Sequence, residues 1–128
     1  MSSVVLDASA LLALLSGESG AEKLTLDLLQ NAVSSAVNLA EVQGKLVSRG
    51  IEADAAWQAA TCSIRACVPF TDEHAKIAGT LITRTKSAGL SLGDRACLAL
   101  AISLDAPVYT ADRSWKDLKI GVRIHSVR

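Results

Sequence analysis

A chain of 128 residues, half of them hydrophobic, can bury one core and is too short for two ordinary domains. Thirteen basic and thirteen acidic side chains cancel, so net charge argues neither for nor against a polyanionic partner. No apolar run approaches the length of a membrane span, and the opening Met-Ser-Ser-Val-Val-Leu-Asp lacks the features of a secretion signal. The expectation is a cytoplasmic protein without a membrane segment, occupying residues 1–128 as one domain.

Residues 3–6 form a short β-branched apolar run closing at Asp7, and Ala-Ser-Ala-Leu-Leu-Ala-Leu-Leu after it is a strong helix former. Ala21, Leu24, Leu28 and Leu29 share a helical face, which predicts a helix over 21–30 and then a strand over 33–37. Residues 38–48 read as a helix stopped by Gly50, and 54–66 as another. A brief strand over 67–70 precedes Thr71-Asp72-Glu73, the capped start of a helix expected to run to about Ser87 and end at Gly89. An apolar helix over 93–104 and strands over 107–110 and 122–127 complete the chain. Strands alternating with helices imply parallel pairing through right-handed crossovers, hence an α/β domain of three layers with a central parallel sheet flanked by helices.

Cys62, Cys67 and Cys97 are odd in number and sit among Ala, Ile and Leu, which predicts buried reduced thiols. His74 and His125 have no ligand-like spacing, so a zinc site has little support.

The acids carry the chemical signal. Open parallel sheets bind ligands beyond the carboxyl ends of their strands. Asp7 follows the first strand, Glu41 falls in the first turn predicted after the second, and Asp112 lies just past the strand ending at Thr110. Asp94 joins them if the 89–93 loop lies on the same edge. Singly, each has an ordinary reading: Asp7 can cap a helix, and Asn38-Leu-Ala-Glu41 and Ser91-Leu-Gly-Asp94 have capping-box spacing. Jointly, carboxylates in one crevice repel unless protonated or neutralised, and Mg²⁺ or Mn²⁺ suits oxygen donors of this kind. Such an ion activates water for phosphodiester hydrolysis. Ser9 and Thr110 could support the site through their hydroxyls, although a cap and a strand residue explain them equally.

Val-Val-Leu-Asp7-Ala-Ser9, Asn38-Leu-Ala-Glu41-Val, Leu92-Gly-Asp94-Arg95-Ala and Tyr109-Thr110-Ala-Asp112-Arg113-Ser-Trp115 together resemble the PIN domain, and more closely the VapC-type toxins of toxin–antitoxin pairs. The similarity spans nearly the whole chain, and the set of motifs carries it. The resemblance implies a Mg²⁺- or Mn²⁺-dependent endoribonuclease, often a homodimer, silenced by a cognate antitoxin whose C-terminal segment lies over the active site. Asp7, Glu41 and Asp94 match the family's three most regular metal-site acids, and Asp112 matches a more variable fourth.

Arg84, Lys86, Arg95, Arg113 and Lys116 lie near the acid-bearing loops and could hold RNA phosphates, with solvated surface charge as the ordinary alternative. Trp115 could stack on a base or anchor the fold. Leu11, Leu12, Leu14, Leu15, Leu24, Leu26, Leu28 and Leu29 crowd the N-terminal half and predict either a fuller core, a homodimer contact or a groove for a partner helix. Two other classes compete: a phosphoacceptor receiver domain, which wants an Asp after a middle strand and a late Lys, and a catalytically inactive PIN-like binding module.

Overall fold

The computed structural model describes residues 2–128. Its strands are β1 (Val4–Leu6), β2 (Ala32–Ser35), β3 (Ala66–Val68), β4 (Val108–Thr110) and β5 (Ile124–Ser126). Its α-helices are α1 (Ala8–Ser16), α2 (Leu26–Leu29), α3 (Ala36–Ser48), α4 (Ala53–Thr61), α5 (Asp72–Thr80) and α6 (Leu92–Leu104). The strands make one sheet in the order β3-β2-β1-β4-β5, and every adjacent pair is parallel. The expected parallel α/β architecture is therefore present.

The order explains the layers. From β1 the chain steps outward to β2 and β3, then returns to the far side of β1 to lay down β4. Right-handed crossovers in opposite directions put their helices on opposite faces of the sheet. Successive strand side chains also face opposite ways. Leu6 accordingly packs in a cluster with Leu11, Leu39, Val42 and Ala56, under α1, α3 and α4. Its neighbour Val5 packs with Leu98, Leu100, Val108 and Trp115, under α6. Between β1 and β4 the direction of winding switches, and at such a point the helices diverge and open a crevice past the strand ends. A receiver domain has the order 2-1-3-4-5, so the topology rules that alternative out.

Several elements depart from the sequence expectation for local reasons. The helix predicted over 21–30 is two pieces, a 3₁₀ turn (Ala21–Lys23) and α2. Thr25 separates them, because its hydroxyl accepts the Leu28 N–H at 3.3 Å and starts a new helix. Helix α3 begins at Ala36 under a Ser35 cap, so the second strand stops at Ser35 and Asn38 lies inside the helix. Helix α4 ends at Thr61, whose hydroxyl donates back to the Trp57 carbonyl at 2.9 Å. Helix α5 ends at Thr80, and a separate 3₁₀ turn (Lys86–Ala88) leads to Gly89. All three cysteines are free, but only Cys97 is buried; Cys62 and Cys67 are exposed. The N-terminal leucines divide: Leu11, Leu24 and Leu29 are buried, whereas Leu26 is 79% exposed. No helix among the described residues is long and apolar enough to cross a membrane.

Trp115 sits in a third 3₁₀ turn (Arg113–Asp117) with no solvent exposure, which closes the base-stacking reading and makes it a core anchor. Its indole N–H has no acceptor. Trp115→Ala should cost about 3–5 kcal/mol. Trp115→Phe should cost clearly less, since it removes an unsatisfied donor along with some contact area. Urea denaturation of the two variants checks this, and equal losses would contradict it.

Candidate metal centre at the carboxyl edge

Asp7 leaves β1 at the switch point and is 3% exposed. It caps α1 by accepting the Ala10 N–H at 2.8 Å on Oδ1. The Ser9 hydroxyl lies 2.8 Å from both carboxylate oxygens, and the Thr110 hydroxyl donates to Oδ2 at 2.5 Å. Both hydroxyl protons are thus spent on Asp7, and the 3.2 Å approach of Ser9 to Thr110 is not a further strong bond. The hydroxyl oxygens accept in turn: Ser9 from the Ala111 N–H at 2.9 Å, Thr110 from the Asp112 N–H at 3.0 Å. One network therefore ties the end of β1 to the end of β4 around a buried carboxylate.

Burial pushes the Asp7 carboxyl up to about 6; the bonds from Thr110, Ala10 and Ser9 oppose that rise, and the charge of Asp94 adds to it. Asp94 is therefore within electrostatic reach of Asp7. It opens α6 in the capping box that its spacing suggests, accepting the Ser91 N–H on Oδ2 at 3.0 Å while its own N–H bonds the Ser91 hydroxyl at 3.1 Å. A box needs only one carboxylate oxygen, so it leaves Oδ1 available.

Glu41 lies in the second turn of α3, not the first, and its spacing from Asn38 makes no capping box because Ser35 holds the cap. Instead the buried Asn38 amide donates to Glu41 Oε1 at 3.0 Å and to the Gly93 carbonyl at 3.0 Å. Glu41 is thereby drawn against the start of α6, beside Asp94. Cys97 is buried one turn into α6. Its thiol is pushed well above its usual range by burial, then by the charges of Asp7, Asp94 and Glu41 together.

Asp112 is not among those charges. It is exposed, and its Oδ1 accepts the Ser114 N–H at 2.9 Å and hydroxyl at 2.7 Å, capping the 3₁₀ turn. It does line the cleft of about 590 Å³ beside Ser9, Ala111, Arg113 and Arg128. The basic residues divide likewise. Arg95 is half-buried and donates from Nη1 to the Ala78 carbonyl at 2.8 Å, which ties α6 to α5. Arg84 donates to the Lys119 carbonyl at 2.7 Å. Lys86, Arg113 and Lys116 are exposed. Arg128, which no motif singles out, joins the cleft wall and pairs with Glu18.

The donor set fits a hard divalent cation in its chemistry. The carboxylates of Asp7, Glu41 and Asp94 gather without a Lys or Arg partner among the described residues, where the ion pair formed is Arg128 with Glu18. Among those residues no group of three or more His, Cys, Asp or Glu side chains is placed so that together they could hold a metal ion.

The PIN domain family model matches residues 4–121. No curated protein sequence matches. Among solved structures, a toxin–antitoxin complex from Klebsiella pneumoniae aligns with TM-score 0.75 at 16% identity, covering 98% of each chain. DNA-bound VapBC from Salmonella typhimurium aligns with TM-score 0.73 at 15% identity over 100% of both chains. VapBC-1 from nontypeable Haemophilus influenzae aligns with TM-score 0.70 at 19% identity over 97% of both. At these identities the likeness is one of fold.

Asp7 gives the site a pH signature. Its folded carboxyl, at about 6 against an ordinary 3.8, favours the protonated form, so its contribution to stability is complete below about 4 and is lost as pH rises through 6. Asp7→Asn removes that loss and adds a constant offset, because an amide cannot accept every bond the carboxylate takes. In EDTA, the stability of the variant relative to wild type should therefore rise by on the order of 3 kcal/mol between pH 4 and pH 8. Urea titrations across that range measure it, and a difference independent of pH would refute the assignment.

Proposed function

The chain belongs to the PIN-domain family, and on that premise we propose that it is a VapC-type toxin, a Mg²⁺- or Mn²⁺-dependent endoribonuclease restrained by a cognate antitoxin. One observation supports the proposal: Asp7 ends β1 at the topological switch point, Asp94 opens α6 and the Glu41 carboxylate lies against Gly93 beside it, none of them with a Lys or Arg partner among the described residues. An inactive binding module gives no reason for these unpaired carboxylates.

In this reading Asp7, Asp94 and Glu41 hold the cation and Asp112 is the fourth acid, on the cleft wall. A divalent cation bound there supplies an activated water and steadies charge on a phosphoryl oxygen. The protein's own part is orientation. Ser9 and Thr110 bind both oxygens of Asp7, which fixes the orientation of the carboxylate. The capping box fixes Asp94 by one oxygen and presents the other. Arg113, with Lys86 and Lys116, is proposed to contact RNA phosphates, which positions a backbone without reading its sequence.

The antitoxin reading draws support from the fold shared with toxin–antitoxin complexes and from an open groove of about 490 Å³, in which Leu26, Leu29 and Ile64 face Gln30, Cys62 and Arg65. Apolar side chains at helical spacing on a partner would fill it.

RNA cleavage by the partner-free protein should require Mg²⁺ or Mn²⁺ and stop in excess EDTA. Asp7→Asn and Asp94→Asn should each reduce it by at least a hundredfold while circular dichroism shows the fold intact. Cleavage of unstructured RNA that survives EDTA, or survives both substitutions, would sink the proposal. For the partner, Leu26→Glu should weaken antitoxin binding at least tenfold in calorimetry and leave RNA cleavage by the free protein unchanged. Unaltered affinity would place the interface elsewhere.

A further inference from the structure

Resting on the reading of these acids as the metal centre, we propose that Asn38 and Gly93 are positioning residues: together they form a neutral seat that holds the Glu41 carboxylate against the start of α6. The seat begins in the local sequence. Because Ser35 caps α3, Asn38 falls inside the helix, one turn before Glu41 and on the same side of it. Asn38 is 1% exposed. Both protons of its amide are used, one on Glu41 Oε1 at 3.0 Å and one on the Gly93 carbonyl at 3.0 Å. One side chain thus joins the carboxylate of α3 to the backbone of α6, at the residue before Asp94.

Gly93 completes the seat by what it lacks. A Cβ there would lie 2.4 Å from Glu41 Oε1 and 2.7 Å from both Cδ and Oε2. The whole carboxylate therefore rests over the glycine α-carbon, in space that any side chain would occupy. Gly93 is a regular helical residue outside the positive-φ set, so backbone freedom does not explain it.

The choice of an amide follows from the same chemistry. Asn38 Oδ1 is buried without a donor, a cost that an apolar residue of similar size would avoid, so the value of the residue lies in its N–H groups. Arg or Lys could also hold Glu41, but a positive charge would neutralise the carboxylate and compete with a cation. The neutral donor fixes direction and leaves the charge available, as hydrogen-bonded partners of metal ligands do.

The test uses purified protein without RNA. Mn²⁺ affinity is read by electron paramagnetic resonance, the Glu41 carboxyl signal by ¹³C spectra of the metal-free protein, and fold by melting in EDTA. Asn38→Ala and Gly93→Ala should each weaken Mn²⁺ binding at least tenfold and move the Glu41 signal, while the melting temperature of Gly93→Ala stays near wild type, since the three atoms nearest its new methyl group all belong to the far end of the Glu41 side chain, which can swing outward at the loss of one hydrogen bond. In a Glu41→Gln background, neither change should weaken Mn²⁺ further. Wild-type affinity in both single variants would overturn the proposal, and so would an undiminished loss in the Glu41→Gln background, which would show a general structural effect. Should Asn38→Ala fail to fold, Gly93→Ala decides alone. A wild type that binds no Mn²⁺ defeats the metal-centre reading itself; the seat is then upheld or overturned by whether the Glu41 carboxyl signal moves in the metal-free variants.

Discussion

A carboxylate buried at the point where the sheet changes direction is the constraint from which the rest follows. Asp7 is removed from water, and a buried anion is tolerated only when donors replace the lost hydration. Ser9 supplies one from the first turn of α1, and Thr110 supplies another from β4. The Thr110 bond requires β4 to lie beside β1, as the register of Val5 with Val108 and Leu6 with Tyr109 provides. Strand order, the start of α1 and the path of the chain after Thr110 are all tied to satisfying one side chain.

The three gathered acids are supported in different ways. Asp7 is buried and held by hydroxyls, Asp94 shares a helix cap, and Glu41 is exposed and braced by an amide. Each support is neutral. No basic side chain among the described residues pairs with these carboxylates: Arg95 donates to the α5 backbone and Arg128 pairs with Glu18. The site keeps its negative charge unspent, and the carboxyl of Asp7 is raised first by its burial and then, to a lesser degree, by the charge of Asp94.

Much of the fold can be read from the sequence because its signals are local. Asp7 after an apolar run, Ser91 three residues before Asp94, and Thr71 ahead of two acids announce strand ends and helix starts from neighbouring residues alone. What stays hidden depends on long-range partners or on rival caps. The single helix expected over 21–30 fails at Thr25, where the hydrophobic period continues but a hydroxyl offers the backbone a better start. Asn38 looks like a cap because a cap also precedes an acid by three; only the presence of Gly93, 55 positions later, reveals its other bond. The bond from Arg95 to the backbone of α5 is likewise invisible in the residues around it. Cys62 and Cys67 show the limit of composition, since apolar neighbours in sequence do not place a residue on the inner side of its element.

The bond between Asp7 and Thr110 spans 103 positions of chain. Synthesis runs from the amino end, so the ribosome releases Asp7, and later Glu41 and Asp94, well before the strand that completes the arrangement has been made. A nascent or prematurely terminated chain carries every one of the gathered acids and still lacks the hydroxyl that orients the first. The orientation of Asp7 is complete only once synthesis has passed residue 110 and β4 has docked beside β1.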